Sequence, residues 1–258
     1  MEDSFVKAAL AKNAVAVFFT TVPRLSDDQV ASLLPSLIAE ESQRASRFVF
    51  AKDRELYITA HALLRFCLSA AACEPQRKFK VGEYGKPELD PPFGESPLHF
   101  NLSHTNGLAA CALSHGHAVG VDVEEINRQI DFDAVARSVF APEEQQLLAR
   151  SLPDERAETF FRLWVLKESF IKGIGRGLGL PLEDIAFRLD PLSLTVAASV
   201  GEHSVDWQML ELVPTSTHRL ALAVKRIAQA DLTVTSLEIP VFKLIEWSKD
   251  PAARSKQS

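Results

Sequence analysis

Apolar and polar residues follow two different periods along the chain, which separate predicted strands from predicted helices. Short β-branched and aromatic runs predict strands at 15–20, 108–114 and 118–124. Apolar positions three to four residues apart predict two long helices, one from about residue 53 and one over 155–172. Beyond residue 185, short strand-like runs alternate with turns. The pattern therefore predicts a mixed α/β chain in which each half contributes strands and one long helix.

Polar residues between these segments predict where helices begin and end. Ser26 and Gln29 have the spacing of a capping box that opens a helix, and Pro35 is expected to end that helix. A second helical segment is expected over 36–50, and Asp53 is predicted to cap the long helix that follows.

Two connections are also predicted from the pattern. The segment from Pro75 to Pro97 is rich in proline, glycine and charge, which is typical of a loop. His115-Gly116-His117 separates two strand-like runs and is predicted to be a short hairpin loop with exposed histidines. The polar tail from Lys249 to Ser258 is expected to fray.

Composition limits the classes of protein that this chain can belong to. At 258 residues and 47% hydrophobic composition, it can bury one large core or two smaller ones. The net charge of −6 gives no general reason to bind nucleic acid or an anionic membrane. Three cysteines at spacings unlike a zinc site or a disulfide framework, and a start without a signal peptide, lead us to expect a cytoplasmic protein.

Two carboxylates share one face of the predicted strand at 118–124. Because side chains alternate, Gly120, Asp122 and Glu124 point to the side opposite the three valines. The carboxylates would lie ~6.5 Å apart along the strand. Their repulsion is on the order of 2–3 kcal/mol at an effective dielectric constant of ~20, and a divalent cation between them would turn it into attraction. The alternative is a solvated polar face of an edge strand.

A carboxylate and an amine also share one face of the second long helix. Glu168 and Lys172 lie four residues apart on a helix that is apolar nearly all round. They can form an ordinary surface pair worth ~0.2–0.5 kcal/mol. Alternatively, Glu168 serves as a metal ligand or general base, with Lys172 stabilising phosphate charge.

Ser103 and His104 bring a hydroxyl and an imidazole to the start of a predicted strand, where both can bind phosphate. The alternative is a local turn with an exposed histidine. Ser103 lacks the G-x-S-x-G elbow of a serine hydrolase. The glycine-rich run 173–179 follows a helix, so it does not match a dinucleotide-binding loop, which follows a strand.

Four motifs in this order closely resemble the 4′-phosphopantetheinyl transferases of the long, single-chain Sfp type. They are Gly85-Lys86-Pro87, Phe100 to His104, Gly120 to Glu124, and Trp164 to Lys172. With flanking residues such as Arg44, Arg54 and Pro181-Leu182, the resemblance spans roughly Arg44 to Leu182.

The resemblance implies an α/β (α+β) fold with pseudo-twofold symmetry, in which two similar halves each pack a small, mainly antiparallel sheet on a long helix. Residues 1–114 would form the nucleotide side of the coenzyme A site, and residues 115–258 would carry the metal-binding and catalytic carboxylates. The protein would be a monomer.

The resemblance also implies the activity: Mg²⁺-dependent transfer of 4′-phosphopantetheine from coenzyme A to a serine of an apo acyl, peptidyl or aryl carrier protein, with release of 3′,5′-ADP. Asp122, Glu124 and Glu168 would hold the metal, and Glu168, Lys172 and Asp122 would be catalytic. Glu144 is an alternative base. The residues implied in coenzyme A binding are Arg44, Arg54, Gly85, Lys86, Pro87, Ser103, His104, Asp122 and Lys172.

Two other functions remain open at this point. A metal-dependent phosphohydrolase could use the same carboxylates to activate water. A non-catalytic module could bind coenzyme A or a carrier protein without transfer. The sequence also leaves open whether the carrier serves fatty acid, polyketide or peptide synthesis.

Overall fold

The computed structural model describes residues 14–71, 73, 76–89, 97–126, 129–227 and 231–251. This part of the chain divides into two compact units. Unit 1 takes the chain up to Lys80, then Pro87–Gly116 and the residues from Leu232 onwards; unit 2 takes Val81–Lys86 and His117–Asp231. Each unit packs a small sheet on one long helix, which confirms the predicted α/β class.

The described residues contain seven α-helices and eleven strands. The helices are α1 (Asp27–Leu33), α2 (Ala39–Ala45), α3 (Ala51–Ala70), α4 (Phe132–Val139), α5 (Pro142–Arg150), α6 (Arg156–Ile174) and α7 (Val241–Lys249). The strands are β1 (Ala14–Thr21), β2 (Phe79–Val81), β3 (Pro87–Leu89), β4 (Leu98–Thr105), β5 (Leu108–His115), β6 (Val119–Glu125), β7 (Ile185–Leu189), β8 (Leu192–Val196), β9 (Trp207–Thr215), β10 (His218–Lys225) and β11 (Thr233–Glu238).

Unit 1 contains a four-stranded sheet in the order β11-β1-β5-β4, and α3 packs against it. Antiparallel pairs join β1 to β5 and β4 to β5. The core is formed by apolar side chains of the sheet and of α3, including the fully buried Phe18, Leu63 and Leu113.

The hairpin of unit 1 lies one strand earlier than predicted. β4 and β5 pair along their whole length and are joined by Asn106-Gly107, where Gly107 has φ +79°. Asn-Gly is the dipeptide that favours a two-residue hairpin turn, because both central residues take a positive φ. The predicted hairpin at residues 115–117 is wrong, since β6 pairs with β10 of unit 2 and not with β5.

The C-terminal segment returns to unit 1. β11 pairs in parallel with β1, and α7 packs against α1 and α3. Ile239 and Leu244 are buried in the core of unit 1, and the rings of Trp247 and Phe66 form a T-shaped pair with their centroids 5.6 Å apart. The assignment of all residues from 115 to 258 to the second half is therefore corrected for residues 232–251.

Unit 2 contains a three-stranded antiparallel sheet in the order β6-β10-β9, with α6 packed against β6 and β10. Its core is rich in aromatic side chains, among them Phe160, Phe161, Phe170 and Trp207. β7 and β8 form a separate hairpin. Helix α6 ends at Ile174 and is followed by Gly175, whose φ of +78° is typical of a glycine that terminates a helix.

Some predicted boundaries differ from the observed ones. The Ser26 capping box is present, and the predicted second long helix corresponds to α6. The helical segment expected over 36–50 is limited to α2, and Asp53 lies in the first turn of α3, with Phe50 at the capping position. The predicted loop at 75–97 contains β2 and β3, although residues 75 and 90–96 lie outside the described residues, as does the predicted tail beyond residue 251. No described helix is both long and apolar enough to cross a bilayer.

Candidate active site

Strand β6 places two carboxylates on the face that packs against α6. Val119, Val121 and Val123 are buried on the opposite face, in agreement with the predicted alternation. Asp122 is only 4% exposed, and Glu124 is half-buried. The alternative of a solvated polar face is therefore wrong for Asp122. A buried carboxylate requires a compensating partner.

Gly120 allows β6 and α6 to touch through their backbones. A Cβ atom at this position would lie 2.1 Å from the Ser169 carbonyl oxygen and 2.2 Å from the Gly173 nitrogen. No residue other than glycine fits at such a distance without a shift of one element. As a result, the Lys172 ammonium donates a hydrogen bond of 2.5 Å to Asp122 Oδ1. Strand and helix thus form one polar cluster.

Glu168 belongs to the same cluster. Burial raises the pKa of the Glu168 carboxyl above its usual value, the nearby charges of Asp122 and Glu124 raise this pKa further, and Lys172 opposes the shift. Such a shift indicates three mutually repelling carboxylates in a partly desolvated place, with one ammonium group beside them. Lys172 is therefore more than the surface partner of Glu168, because it also bridges to the strand.

The donor set of this cluster fits a hard divalent cation. All three acidic side chains offer oxygen, which is what Mg²⁺ prefers, and Mg²⁺ usually keeps several waters and substrate phosphate oxygens in its coordination shell. Within the described part of the chain, no three His, Cys, Asp or Glu side chains are grouped tightly enough to enclose a metal without such additional ligands. Metal binding at Asp122, Glu124 and Glu168 stays a prediction.

We expect Gly120→Ala to disrupt this cluster. The added methyl group must push β6 away from α6, and overpacking of this kind typically costs about 1–3 kcal/mol. Urea denaturation measures the loss of stability. Gly179→Ala provides a control, because it adds the same methyl group at a position where a Cβ atom would have no other atom within 4 Å. An alanine at 120 that left both stability and activity unchanged would contradict the close packing described here.

Lys86 belongs to unit 2, and its side chain contacts the backbone of β6 and α6. Its ammonium group donates hydrogen bonds to the carbonyl oxygens of Val119 at 2.9 Å and Gly173 at 3.1 Å. Gly85 precedes it with φ +89°, and Pro87 begins β3. The structure therefore places the Lys86 ammonium group next to the start of β6 and the end of α6.

Unit 1 carries the other predicted residues. On β4, Ser103 is buried and His104 is exposed, as expected for neighbours on a strand. Arg44 lies over the ring of Tyr57, 5.7 Å from its centroid. The Nε atom of Arg54 is buried and has no hydrogen-bond partner among the described residues. These basic and polar groups are consistent with anion binding, which remains a prediction.

Two cavities of unit 1 include basic residues. One, of about 530 Å³, is lined by Glu40, Gln43, Arg44, Arg47 and Phe48. The other, of about 270 Å³, is lined by Val22, Pro23, Arg24, Lys52, Asp53, Glu55, Leu56, Asn106 and Gly107. Arg24 and Lys52 are not among the residues predicted from the sequence. The signal that could have identified Lys52 is its place in the first turn of α3, two residues before Arg54.

Glu144 has a structural role. It is fully buried, and its Oε2 atom lies 2.8 Å from the Lys167 ammonium. The same oxygen accepts a hydrogen bond from Ala141 N, and Oε1 accepts one from Phe187 N. A carboxylate so enclosed is not placed to deprotonate a second protein. The position of Glu144 therefore argues against its being the alternative base.

His117 also differs from expectation. It is 6% exposed, and its Nδ1 atom is hydrogen-bonded to the carbonyl oxygen of Lys225 at 3.0 Å. The prediction of a solvent-exposed side chain is wrong for His117, because this residue is part of the packed start of unit 2 and not of a hairpin loop.

Family models match both parts of the chain. A model described as the 4′-phosphopantetheinyl transferase superfamily matches residues 118–224. A second, described as the N-terminal part of 4′-phosphopantetheinyl transferase, matches residues 24–115. The boundary between them coincides with the passage from unit 1 to unit 2 after Gly116.

Characterised relatives cover most of the chain. It is 38% identical to the 4′-phosphopantetheinyl transferase HetI of Nostoc sp. over 77% of this chain and 82% of the relative. It is 34% identical to the transferase gsp of Aneurinibacillus migulanus over 65% of this chain and 69% of the relative. The human L-aminoadipate-semialdehyde dehydrogenase-phosphopantetheinyl transferase is 29% identical over 74% of this chain and 68% of the relative.

Among solved structures, part of the chain is similar to holo-[acyl-carrier-protein] synthase of Thermotoga maritima, with 23% identity, a TM-score of 0.35, and coverage of 42% of this chain and 62% of that one. The identity to HetI extends across both units and includes the segment that bears Asp122, Glu168 and Lys172. The chain belongs to the 4′-phosphopantetheinyl transferase family.

Proposed function

We propose that this protein transfers the 4′-phosphopantetheine group of coenzyme A to a serine hydroxyl of an apo carrier protein, with release of 3′,5′-ADP. The observation that carries the proposal is the polar cluster of unit 2, where Lys172 is bonded to Asp122 and Glu168 is influenced by both acids. Phosphoryl transfer needs this combination of charge stabilisation and a proton acceptor. Family membership supports the same reaction.

In the proposed reaction, Glu168 accepts the proton of the carrier serine, directly or through a water. The serine oxygen forms a bond to the β-phosphorus of coenzyme A, and the bond between this phosphorus and the oxygen of 3′,5′-ADP breaks. Because burial and the neighbouring carboxylates raise the pKa of Glu168, this carboxylate holds the accepted proton better than an exposed one. Lys172 stabilises the negative charge on the transferring group.

The same cluster is the proposed metal site. Asp122, Glu124 and Glu168 would hold Mg²⁺ together with oxygens of the diphosphate and water. When bound, the ion would neutralise charge on the diphosphate. These acidic side chains would repel coenzyme A, which is itself an anion. A cation bound between the carboxylates and the diphosphate would replace this repulsion by attraction.

The nucleotide end of coenzyme A is proposed to bind basic residues of unit 1. Arg44 and Arg54 would reach the 3′-phosphate, while Ser103 and His104 would contact the diphosphate. The buried Nε of Arg54, without a partner among the described residues, supports this role, since an unpaired buried donor is costly unless a ligand satisfies it. Arg54→Leu should therefore weaken binding of coenzyme A more than binding of 3′-dephospho-coenzyme A in titration calorimetry. Equal weakening of both would contradict the assignment.

We further propose that the protein works in the cytoplasm as a monomer, without a nucleic acid or membrane partner. The three cysteines are free and buried, which suits a reducing compartment. The carrier would be an acyl, peptidyl or aryl carrier protein.

One experiment tests the proposed reaction. The protein is mixed with coenzyme A, Mg²⁺ and several apo carrier proteins, and the carrier mass is followed with and without a chelator. We expect the mass of one phosphopantetheine group to be added, and the chelator to prevent the addition. Release of phosphopantetheine products without a carrier would instead indicate a metal-dependent hydrolase. Binding without any covalent change would indicate a non-catalytic module.

A further inference from the structure

The lysine of the Gly85-Lys86-Pro87 motif makes its described hydrogen bonds to the main chain. Its ammonium group donates to the Val119 carbonyl on β6 and to the Gly173 carbonyl at the end of α6. A lysine has three donors. At least two of the three are therefore directed at the backbone of the elements that carry the acidic cluster.

These two carbonyls lie beside the closest contact between β6 and α6. Val119 precedes Gly120, and Gly173 follows Lys172. Gly120 is also the residue of β6 whose backbone touches α6, since a Cβ built on it would lie 2.1 Å from the Ser169 carbonyl oxygen and 2.2 Å from the Gly173 nitrogen. Lys86 thus joins strand and helix beside their closest approach.

The surroundings of Lys86 indicate a built contact. The turn that presents it is closed by hydrogen bonds from Gly82 N to Lys86 O at 2.9 Å and from Gly85 N to Gly82 O at 3.0 Å. The Lys86 stem lies against Gly175, where a Cβ atom would come within 3.1 Å of Lys86 Cδ. The carbonyl of Gly173 lies in the last turn of α6, where carbonyls lack partners within the helix and a cation is favourable.

We propose that Lys86 is a positioning residue for the transfer reaction. By holding β6 against the end of α6, it sets the separation of Asp122 on the strand from Glu168 and Lys172 on the helix. This inference rests on the proposed function. It differs from the direct phosphate contact that the resemblance implies for this lysine, because it acts through backbone packing in the absence of coenzyme A.

The test compares Lys86→Met, which keeps the stem but loses the donors, with Lys80→Met. Lys80 is an exposed lysine nearby on β2 whose ammonium lies 3.6 Å from Glu88 on the neighbouring strand. Backbone amide exchange of the protein without coenzyme A or metal is the first readout. We expect faster exchange at 119–124 and 170–175 in Lys86→Met only. Lys86→Arg, which can still donate to both carbonyls, should recover part of the protection.

Kinetics provide the second readout. Loss of alignment should lower kcat by about tenfold or more and raise the magnesium concentration for half-maximal rate, since small displacements of reacting groups can cost up to 100-fold. The KM for coenzyme A should change by less than about twofold. By contrast, the loss of a contact that is equally strong in the ground state and the transition state would raise KM and leave kcat unchanged. Lys80→Met should match the wild type in both readouts.

The outcomes separate this inference from the proposed function. A raised KM with unchanged kcat and unchanged amide exchange would overturn the positioning role and favour phosphate contact. Unchanged exchange alone would also overturn it, even in an active enzyme. If the wild type and Lys80→Met fail to modify any carrier, the proposed function itself falls, and with it the catalytic consequence of Lys86.

Discussion

Glu168→Gln should lower kcat by at least about 100-fold, the scale of a lost general base together with a lost electrostatic contact. Glutamine has the same shape as glutamate but neither accepts the serine proton nor carries the charge that a cation requires. Steady-state rates of carrier modification at saturating coenzyme A and Mg²⁺ measure the effect. Asp122→Asn should cause a loss of similar size, because it removes the charge that pairs with Lys172.

Although Glu168→Gln should lower kcat, it should keep or increase the stability of the protein. Because the folded state raises the pKa of Glu168, the ionised side chain destabilises the metal-free fold above the usual carboxyl pKa of 4.5. Removal of the charge should therefore keep or increase the midpoint of thermal unfolding at pH 7. Active-site residues often lower the stability of the fold, because the charges that function requires are unfavourable in the folded protein.

Glu158→Gln is the matched control on the same helix. Glu158 is ion-paired with Arg219 and lies in the first turn of α6, whereas Glu168 lies in the second half of this helix. We expect its kcat to stay within about twofold of the wild type, because a partly exposed pair contributes little. Near-normal activity of Glu168→Gln, or an equal loss in Glu158→Gln, would refute the proposed site.

The arrangement of the polar cluster shows what local pattern can predict. Alternation along β6 predicts Gly120, Asp122 and Glu124 on one face, and helical spacing predicts Glu168 and Lys172 on one face of α6. In the structure Gly120 and Asp122 contact α6, and the charges of Asp122, Lys172 and Glu124 act on Glu168. The sequence pattern does not show which other element packs against each face. The contact between Gly120 and Gly173, which brings Lys172 to Asp122, depends on the packing of two elements about 50 residues apart.

Long-range pairing explains the errors of topology. The hairpin of unit 1 could have been found from Asn106-Gly107, a local signal that was available in the sequence. The return of β11 to β1 could not, because a parallel pair between residues more than 200 apart leaves no local trace in either strand. The burial of His117 also has no local signal in the sequence. It depends on β6 pairing with β10 and not forming a hairpin with β5.

Lys167→Met should destabilise the protein by about 3–5 kcal/mol, the usual cost of removing one partner of a buried ion pair. Lys167 is 2% exposed and lies 2.8 Å from the fully buried Glu144, and it also donates hydrogen bonds to the carbonyl oxygens of Leu182 and Ile185. The methionine leaves the Glu144 charge buried without its cation. Urea denaturation at pH 7 measures the loss.

Arg156→Met serves as the control. Arg156 is ion-paired with Asp133 on α4, but this pair is partly exposed, and its removal should cost at most about 1 kcal/mol. Combining Glu144→Gln with Lys167→Met removes both buried charges and should be less destabilising than Lys167→Met alone. Equal losses for Lys167→Met and Arg156→Met would contradict the burial of the pair.

The dependence of this effect on pH follows from the direction of the pKa shift. Burial raises the pKa of Glu144, and Lys167 is the partner whose charge opposes that shift. Without Lys167 the folded pKa rises further, so that the variant loses stability as pH increases from the usual carboxyl value of 4.5 towards the raised value. Below pH 4.5, Glu144 is protonated in both the folded and the unfolded chain. The stability difference between wild type and Lys167→Met should therefore narrow as pH falls, whereas a loss caused only by poor packing of the methionine would stay constant.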